Sequence, residues 1–386
     1  MSTSDGNIRA IRELVGARGF SAYVDAAVER QIQRDLPKKA ADRFQLMVSG
    51  WAAGAVGRLD EERAGVGVTP LRAFPLPSGW GVRLWFKDES VQPAGGLKHR
   101  LARALFATAI SDGRIVEGTP VVEAAGGAMA VTQAYFARLL GLPYTAVMPK
   151  GANGEGVERL GGTCRYVHPP LAIYEEAAGL AERVGGCYLD QYGAAPGVDW
   201  RGGSLAEELF GQVDRCPAWV VVGAATGATS AAVGRHLREH RLPGKLAVVD
   251  PENSAYFPGW AAGADDYGTG MPSRIEGIGR PRMEPGFAAS LVDLVVPVPD
   301  AASVAAARRV RQVTGLAVGA ATGTNLWGAL ELAVRMRDRD EPGDLVTVIG
   351  DVGERHLRTC HDDAWARGKG LDWRPHAARL ADLLDA

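Results

Sequence analysis

From Thr69 onward the chain alternates between short apolar runs and amphipathic stretches. The runs VRLWF, PVVEA, YTAVM, CRYVH, CYLDQ, AWVVVG, KLAVVD, LVDLVVPV and LVTVIG read as strands. Between them AVTQAYFARLLG, AIYEEAAGLAERVGG and SVAAARRVRQVTG read as helices, the last with Asp300 as N-cap and Gly315 at its end. Strands that are apolar throughout and alternate with helices belong to parallel sheets covered on both faces. The pattern predicts an α/β protein with a smaller domain at 105–195 and a larger one formed by 69–104 with 196–365. Residues 1–68 carry helix-spaced apolar positions in IRAIRELV and YVDAAVERQIQRDL, interrupted by Pro37, and are expected to form a helical extension. The polar stretch 366–386 is expected to be a peripheral tail.

The chain has 386 residues, of which 46% are hydrophobic and 23% charged, with a formal net charge of −2. That balance suits a soluble globular protein with a large core and no general attraction to nucleic acid or anionic lipid. Cys164, Cys187, Cys216 and Cys360 form no C-x-x-C pair, which argues against a disulfide framework or a zinc ribbon. The N-terminus lacks the apolar core of a signal peptide, and no apolar run reaches the ~20 residues of a membrane helix. A cytoplasmic location is the expectation.

Ligands of such folds sit at the carboxyl ends of strands, in loops of Gly and small polar residues, and PAGGLKHR, AAGGAM, GAATGATS and GAATGTN read as loops of that kind. GAATGATS follows a strand and opens a helix, so its backbone amides and the helix dipole make an anion site, with Thr226 and Thr229 adding hydroxyls. A phosphate is the natural guest; a tight turn packed with small residues is the plainer reading. No G-K-[ST] follows, so this is not a Walker loop. Lys98, in GGLKHR, falls at the start of a helix, where its charge opposes the dipole. In an apolar cleft such a lysine becomes a nucleophilic amine; a surface lysine is the plainer reading. His99 beside it reads as a base or, more ordinarily, as a structural hydrogen-bonding group. In HLRTCHDD, His356 and Cys360 are four apart and could share a helical face as metal ligands, but a solvated face is the expectation and no metal is predicted.

Taken in order, KDES–PAGGLKHR, VEAAGGAMAVTQAYFARLLGLPYTAVMP, VVGAATGATS, DPENSAYF, SRIEGIGRPR, GAATGTN and DVGERH resemble the fold-type II pyridoxal-phosphate (PLP) enzymes of the cysteine synthase group. The likeness spans about residues 69–357 and is strongest to the actinobacterial L-cysteine desulfhydrase branch. It implies a tryptophan synthase β-like fold and PLP as cofactor. Lys98 would bond the cofactor and move the α-proton. Ala225, Thr226, Gly227, Ala228 and Thr229 would hold its phosphate. Ala128 and Gly277, with Ile278 and Gly279, would lie near it, and Ala321 and Thr322 would flank the ring nitrogen. Ala125, Gly126, Gly127 and Met129 would receive the substrate carboxylate, with Gln191 and Tyr192 lining the substrate side.

Departures from the family pattern are concentrated in the pocket. Ala94 and Gly96 replace two hydroxyl residues of the lysine motif. The substrate loop carries no hydroxyl or Asn, Ala225 and Ala228 replace glycines, and Ala321 stands for a serine. Thr322 is a candidate to replace that serine. Val352 and His356 replace Ser and Tyr, and the helix after VMP reads about a turn short. The implied function is β-elimination or β-replacement on cysteine, O-acetylserine or a related β-substituted amino acid, with an altered pocket. The alternative is a pseudoenzyme or binding scaffold that serves a protein partner. A homodimer is implied by the resemblance alone.

Overall fold

The computed structural model describes residues 50–198, 200 and 203–385. The helical reading of residues 1–49, with its break at Pro37, lies outside the described residues.

Ten strands form two sheets. They are β1 (Leu71–Phe74), β2 (Val82–Asp88), β3 (Val121–Ala124), β4 (Tyr144–Pro149), β5 (Thr163–Val167), β6 (Cys187–Tyr188), β7 (Trp219–Gly223), β8 (Lys245–Pro251), β9 (Leu294–Val298) and β10 (Gly343–Ile349). The six-stranded sheet has the order β1-β2-β10-β7-β8-β9, and the four-stranded sheet the order β5-β4-β3-β6. Every pairing is parallel except β1 with β2. All nine runs read as strands correspond to β2–β10. No apolar run marks β1, a four-residue edge strand with only Phe74 buried.

The apolar runs are buried on both faces because helices cover both sides. Val221, Val249 and Ile349 face the helices Asp300–Thr314 and Ala320–Asp338. Val220, Val222 and Val348 face the side of Leu205–Gln212 and Ala228–Glu239. In the smaller sheet Val122, Ala124 and Val147 pack on the helix Ile173–Arg183. The opposite face packs against Gly50–Val66, Lys98–Ser111 and Ala128–Leu140.

Three local readings need correction. Pro299, extended at φ −59° and ψ 139°, caps the helix Asp300–Thr314, and Asp300 is its first residue. The Asp300 carboxylate instead accepts from Glu252 N at 3.1 Å and Arg274 Nε at 2.7 Å. GAATGTN is not a loop: Gly319 caps a helix that starts at Ala320. HLRTCHDD is not a solvated face, because the turn Glu354–Arg358 folds back on Gly319 and buries His356 and Cys360. Beyond it, the helix Arg374–Leu384 packs on Asp300–Thr314 through Leu380, with the Arg308 guanidinium 4.0 Å from the centre of the Trp373 ring.

Candidate active site

The carboxyl ends of β2, β3, β7 and β10 open into one cleft with two adjoining compartments of about 100 and about 330 Å³. After β2 the chain turns through Gly95 at φ +82°, and Leu97 N donates to Gly350 O at 2.8 Å beyond β10. This contact explains the glycine at 96 in the lysine motif, while nothing in the structure explains Ala94. A Cβ on Gly96 would fall 2.5 Å from Gly350 O and 3.1 Å from Asp351 Cβ, so a larger residue cannot stand there without displacing the end of β10.

Lys98 is the first residue of the helix Lys98–Ser111, lines both compartments, and makes no hydrogen bond or ion pair with the described residues. Burial lowers its pKa, against the partial pull of Asp351 and Glu276. Lys87, by contrast, is fully buried yet bonded to Thr69 O, Gln212 and Glu208. Of these two lysines in the interior, only Lys98 is free to react. His99 points away, its ring tilted at 48° to Phe136 and Nε2 3.0 Å from Glu62 Oε1, so it packs outside the cleft and its ring makes no structural hydrogen bond among the described residues.

The smaller compartment gathers Lys98, Ala128, the loop Ala225–Thr229, Gly277 and Ala321. Gly227 caps the helix Ala228–Glu239 at φ +79°, and a Cβ there would lie 2.3 Å from the Gly286 backbone. Ala225 and Ala228 have no positive φ, so their methyl groups are compatible with the loop. The amides of the first helical turn lack intrahelical partners and face an anion site. The Thr226 hydroxyl accepts from Ala228 N at 3.3 Å, while Thr229 has no partner among the described residues.

The second compartment gathers Ala125, Gly126, Met129, Gln191 and Tyr192. Met129 is 2% exposed and packs into the core, so its thioether does not face a ligand broadly. Gln191 Nε2 donates to Ala124 O at 3.1 Å and its backbone N to Glu123 Oε2 at 3.2 Å. Two predicted residues lie outside the cleft wall. Gly127 caps the helix Ala128–Leu140 at φ +75°, and a Cβ on it would come 2.9 Å from Glu276 Oε1. Thr322 is fully buried, and its hydroxyl accepts from Gly350 N at 3.1 Å. It therefore does not replace the missing serine; only Ala321 reaches the wall.

Several polar groups of the cleft were not singled out from the sequence. Asp351 pairs with Arg355, and His356 Nε2 stands 3.3 Å from Asp351 Oδ1. Burial alone would raise the Asp351 carboxyl, but His356 and Arg355 outweigh it and hold its pKa below the ordinary value. Arg280 bonds Glu284 and the Tyr174 hydroxyl, and its guanidinium lies 4.2 Å from the centre of the Tyr192 ring. Asn325 also lines the cleft. Charged residues beside the glycines of RIEGIGRPR and DVGERH, and an Asn inside a buried helix, were the available signals.

The model of the family described as pyridoxal-phosphate dependent enzyme matches residues 63–351. The chain belongs to that family. It is 45% identical over 346 residues to the L-cysteine desulfhydrase Cds1 of Mycobacterium tuberculosis, covering 86% of this chain and 94% of that one. It is 27% identical over 314 residues to a cysteine synthase of Aquifex aeolicus, covering 76% and 90%. Among solved structures, O-ureido-L-serine synthase matches with a TM-score of 0.70 over 79% of this chain and 98% of that one, at 23% identity. That last likeness is one of fold, the PLP fold type II.

The residues of this pyridoxal-phosphate dependent enzyme fit its cofactor. The free Lys98 amine suits an aldehyde, and the amides at Ala228–Ser230 suit a phosphate. A buried acceptor without a donor, Asn325 Oδ1, remains in the wall. The hydroxyls missing at Ala94, Gly96 and Ala321 remove side-chain bonds and leave these backbone donors intact. No described helix is long and apolar enough to cross a membrane.

Proposed function

We propose that the protein catalyses PLP-dependent β-elimination or β-replacement on cysteine, O-acetylserine or a related β-substituted amino acid. The observation that carries this reading is the unpartnered Lys98 amine at the junction of the two compartments. Bound PLP supplies a carbonyl for the substrate amine and an electron-withdrawing ring that stabilises negative charge at Cα.

The residues divide the remaining work. The loop Ala225–Thr229 holds the phosphate through its amides, and Lys98 secures the carbonyl carbon. Ala125, Gly126 and the first-turn amides of Ala128–Leu140 receive the substrate carboxylate, with Gln191 fixing that loop through Ala124 O. When not bonded to the cofactor, the Lys98 amine would take the α-proton, a role that the burial-lowered pKa of this amine favours. Asp351 then stabilises the ammonium that results. The second compartment, walled by Tyr174, Tyr192 and Arg280, would receive the β-substituent.

The named activity of the 45% identical relative supports cysteine as a substrate. A cytoplasmic homodimer, with the cleft between a domain at 105–195 and one of 69–104 with 196–365, completes the proposal. The scaffold reading has no supporting observation, because the amine and the backbone cradle are both retained. The test is the visible spectrum of purified protein with added PLP, beside Lys98→Ala. A band that depends on Lys98, followed by sulfide, pyruvate or ammonia release from β-substituted amino acids, is expected. Absence of any band with excess PLP would sink the proposal.

A further inference from the structure

One polar atom in the cleft wall has a fixed direction and no partner. Asn325 is 6% exposed and lines the smaller compartment. Its Nδ2 donates to Val348 O at 2.9 Å. That bond settles the orientation of the amide, since a flipped group would set its oxygen against a carbonyl oxygen. Oδ1 is buried and accepts from no group among the described residues. Buried acceptors are normally paired, so this one is matched to a donor that arrives with a ligand.

The surroundings keep that oxygen available. Ala321 lies four residues earlier on the same helix and lines the same compartment, and its methyl group cannot compete for a donor. The Thr322 hydroxyl is turned to Gly350 N. Gly223 stands opposite, where a Cβ would come 3.3 Å from Oδ1 and 2.8 Å from Ile278 Cγ2. Any side chain at 223 would crowd the approach.

If the cleft holds PLP, on which this inference rests, the cofactor's own chemistry narrows the donor. Its phosphate accepts hydrogen bonds, its ionised phenolic oxygen accepts, and its carbonyl carbon is taken by an amine. The ring nitrogen is the outward group that remains, and when it carries a proton its N–H is a donor. We propose that Asn325 Oδ1 accepts the hydrogen bond of the protonated ring nitrogen of PLP. A neutral amide oxygen can only accept, so it favours the protonated ring over the neutral one. A protonated ring withdraws electrons more strongly, so Asn325 tunes the cofactor as well as orienting it.

The experiment loads wild type, Asn325→Ala and the double variant Ala321→Ser/Asn325→Ala with PLP carrying ¹⁵N in the ring. Ring-nitrogen NMR is read together with competition against a PLP analogue that has C–H in place of the nitrogen. The wild type is expected to show a protonated nitrogen and to prefer PLP over the analogue by about tenfold or more. Asn325→Ala should shift the nitrogen toward neutral pyridine and abolish the preference, and the serine should restore part of both. Should Asn325→Ala fold poorly, Asn325→Asp keeps an acceptor in place and is expected to retain the protonated signal. A Lys98-dependent visible band with the same nitrogen signal in wild type and Asn325→Ala overturns this inference alone. No band in any of the proteins overturns the PLP reading with it.

Discussion

Arg355 Nη1 donates to Glu276 Oε1 at 2.6 Å and so ties the turn after β10 to the loop 274–282 across the cleft. Arg355 also holds Asp351, and Glu276 fills the space left by Gly127. Three loops that frame the substrate side therefore meet at one ion pair. The pair is well exposed, so it contributes little stability, roughly 0.2–1 kcal/mol. Its value lies in where it holds the loops. Glu276→Gln should lower the melting temperature by less than about 3 °C, yet raise KM several-fold with kcat little changed. Thermal melts and steady-state kinetics on the loaded enzyme check both.

The phosphate loop distinguishes its small residues sharply. Gly227→Ala forces a Cβ to 2.3 Å from the Gly286 backbone in a left-handed conformation. A loss of at least ~3 kcal/mol in stability, with PLP binding abolished, is expected. Ala228→Gly is different, because the position is helical and open to either residue. It should cost about 0.5–1 kcal/mol and leave PLP affinity nearly unchanged. Denaturant titration with PLP binding separates the two.

Thr322 and Ala321 are neighbours with opposite duties. Thr322→Val removes the acceptor of Gly350 N and should destabilise the fold by about 1–3 kcal/mol. Ala321→Ser places a hydroxyl on the cleft wall and should tighten PLP without changing the melting temperature of the empty protein. The idea fails if Thr322→Val weakens PLP binding while stability is unaltered.

Glu123 gives the fold a pH dependence. Its carboxylate receives Ala124 N at 2.9 Å, Gln133 Nε2 at 2.9 Å and Gln191 N at 3.2 Å, with no cation paired to it among the described residues. Burial raises its pKa to about 8. An unfolded glutamate titrates near ~4.3, so between these values the native state holds the extra proton. The stability this contributes is complete below the unfolded value and is lost as pH rises through the folded one. Melting temperature should therefore decline between about pH 5 and pH 8 in the wild type, and Glu123→Gln should flatten that slope. A parallel decline in both proteins would assign it elsewhere.

Much of the fold could be read from the chain, because buried parallel strands are written as apolar runs that need no partner's identity to be recognised. β1 was illegible, since a four-residue edge with one buried side chain carries no such run. The burial of His356 and Cys360 was hidden for another reason. Polar residues in a turn look solvated unless one knows that Gly319 leaves room beneath them, with a Cβ there only 2.8 Å from His356 Cε1. In the site, glycines and the lysine marked the loops, but motif position could not say which way a hydroxyl points. Thr322 turned toward β10 for that reason, and Asn325, one turn further along the helix, was passed over.

Lys98 begins a helix, where a positive charge opposes the dipole, and it has no bonded counter-ion among the described residues. In the empty chain the buried amine stands without a partner, which costs stability whether it sheds its proton or keeps it. A ligand held only by the folded form lowers the fraction of molecules open at any moment. Degradation in the cell acts on open molecules. Loading with PLP should therefore slow proteolysis of the polypeptide as well as switch on its activity.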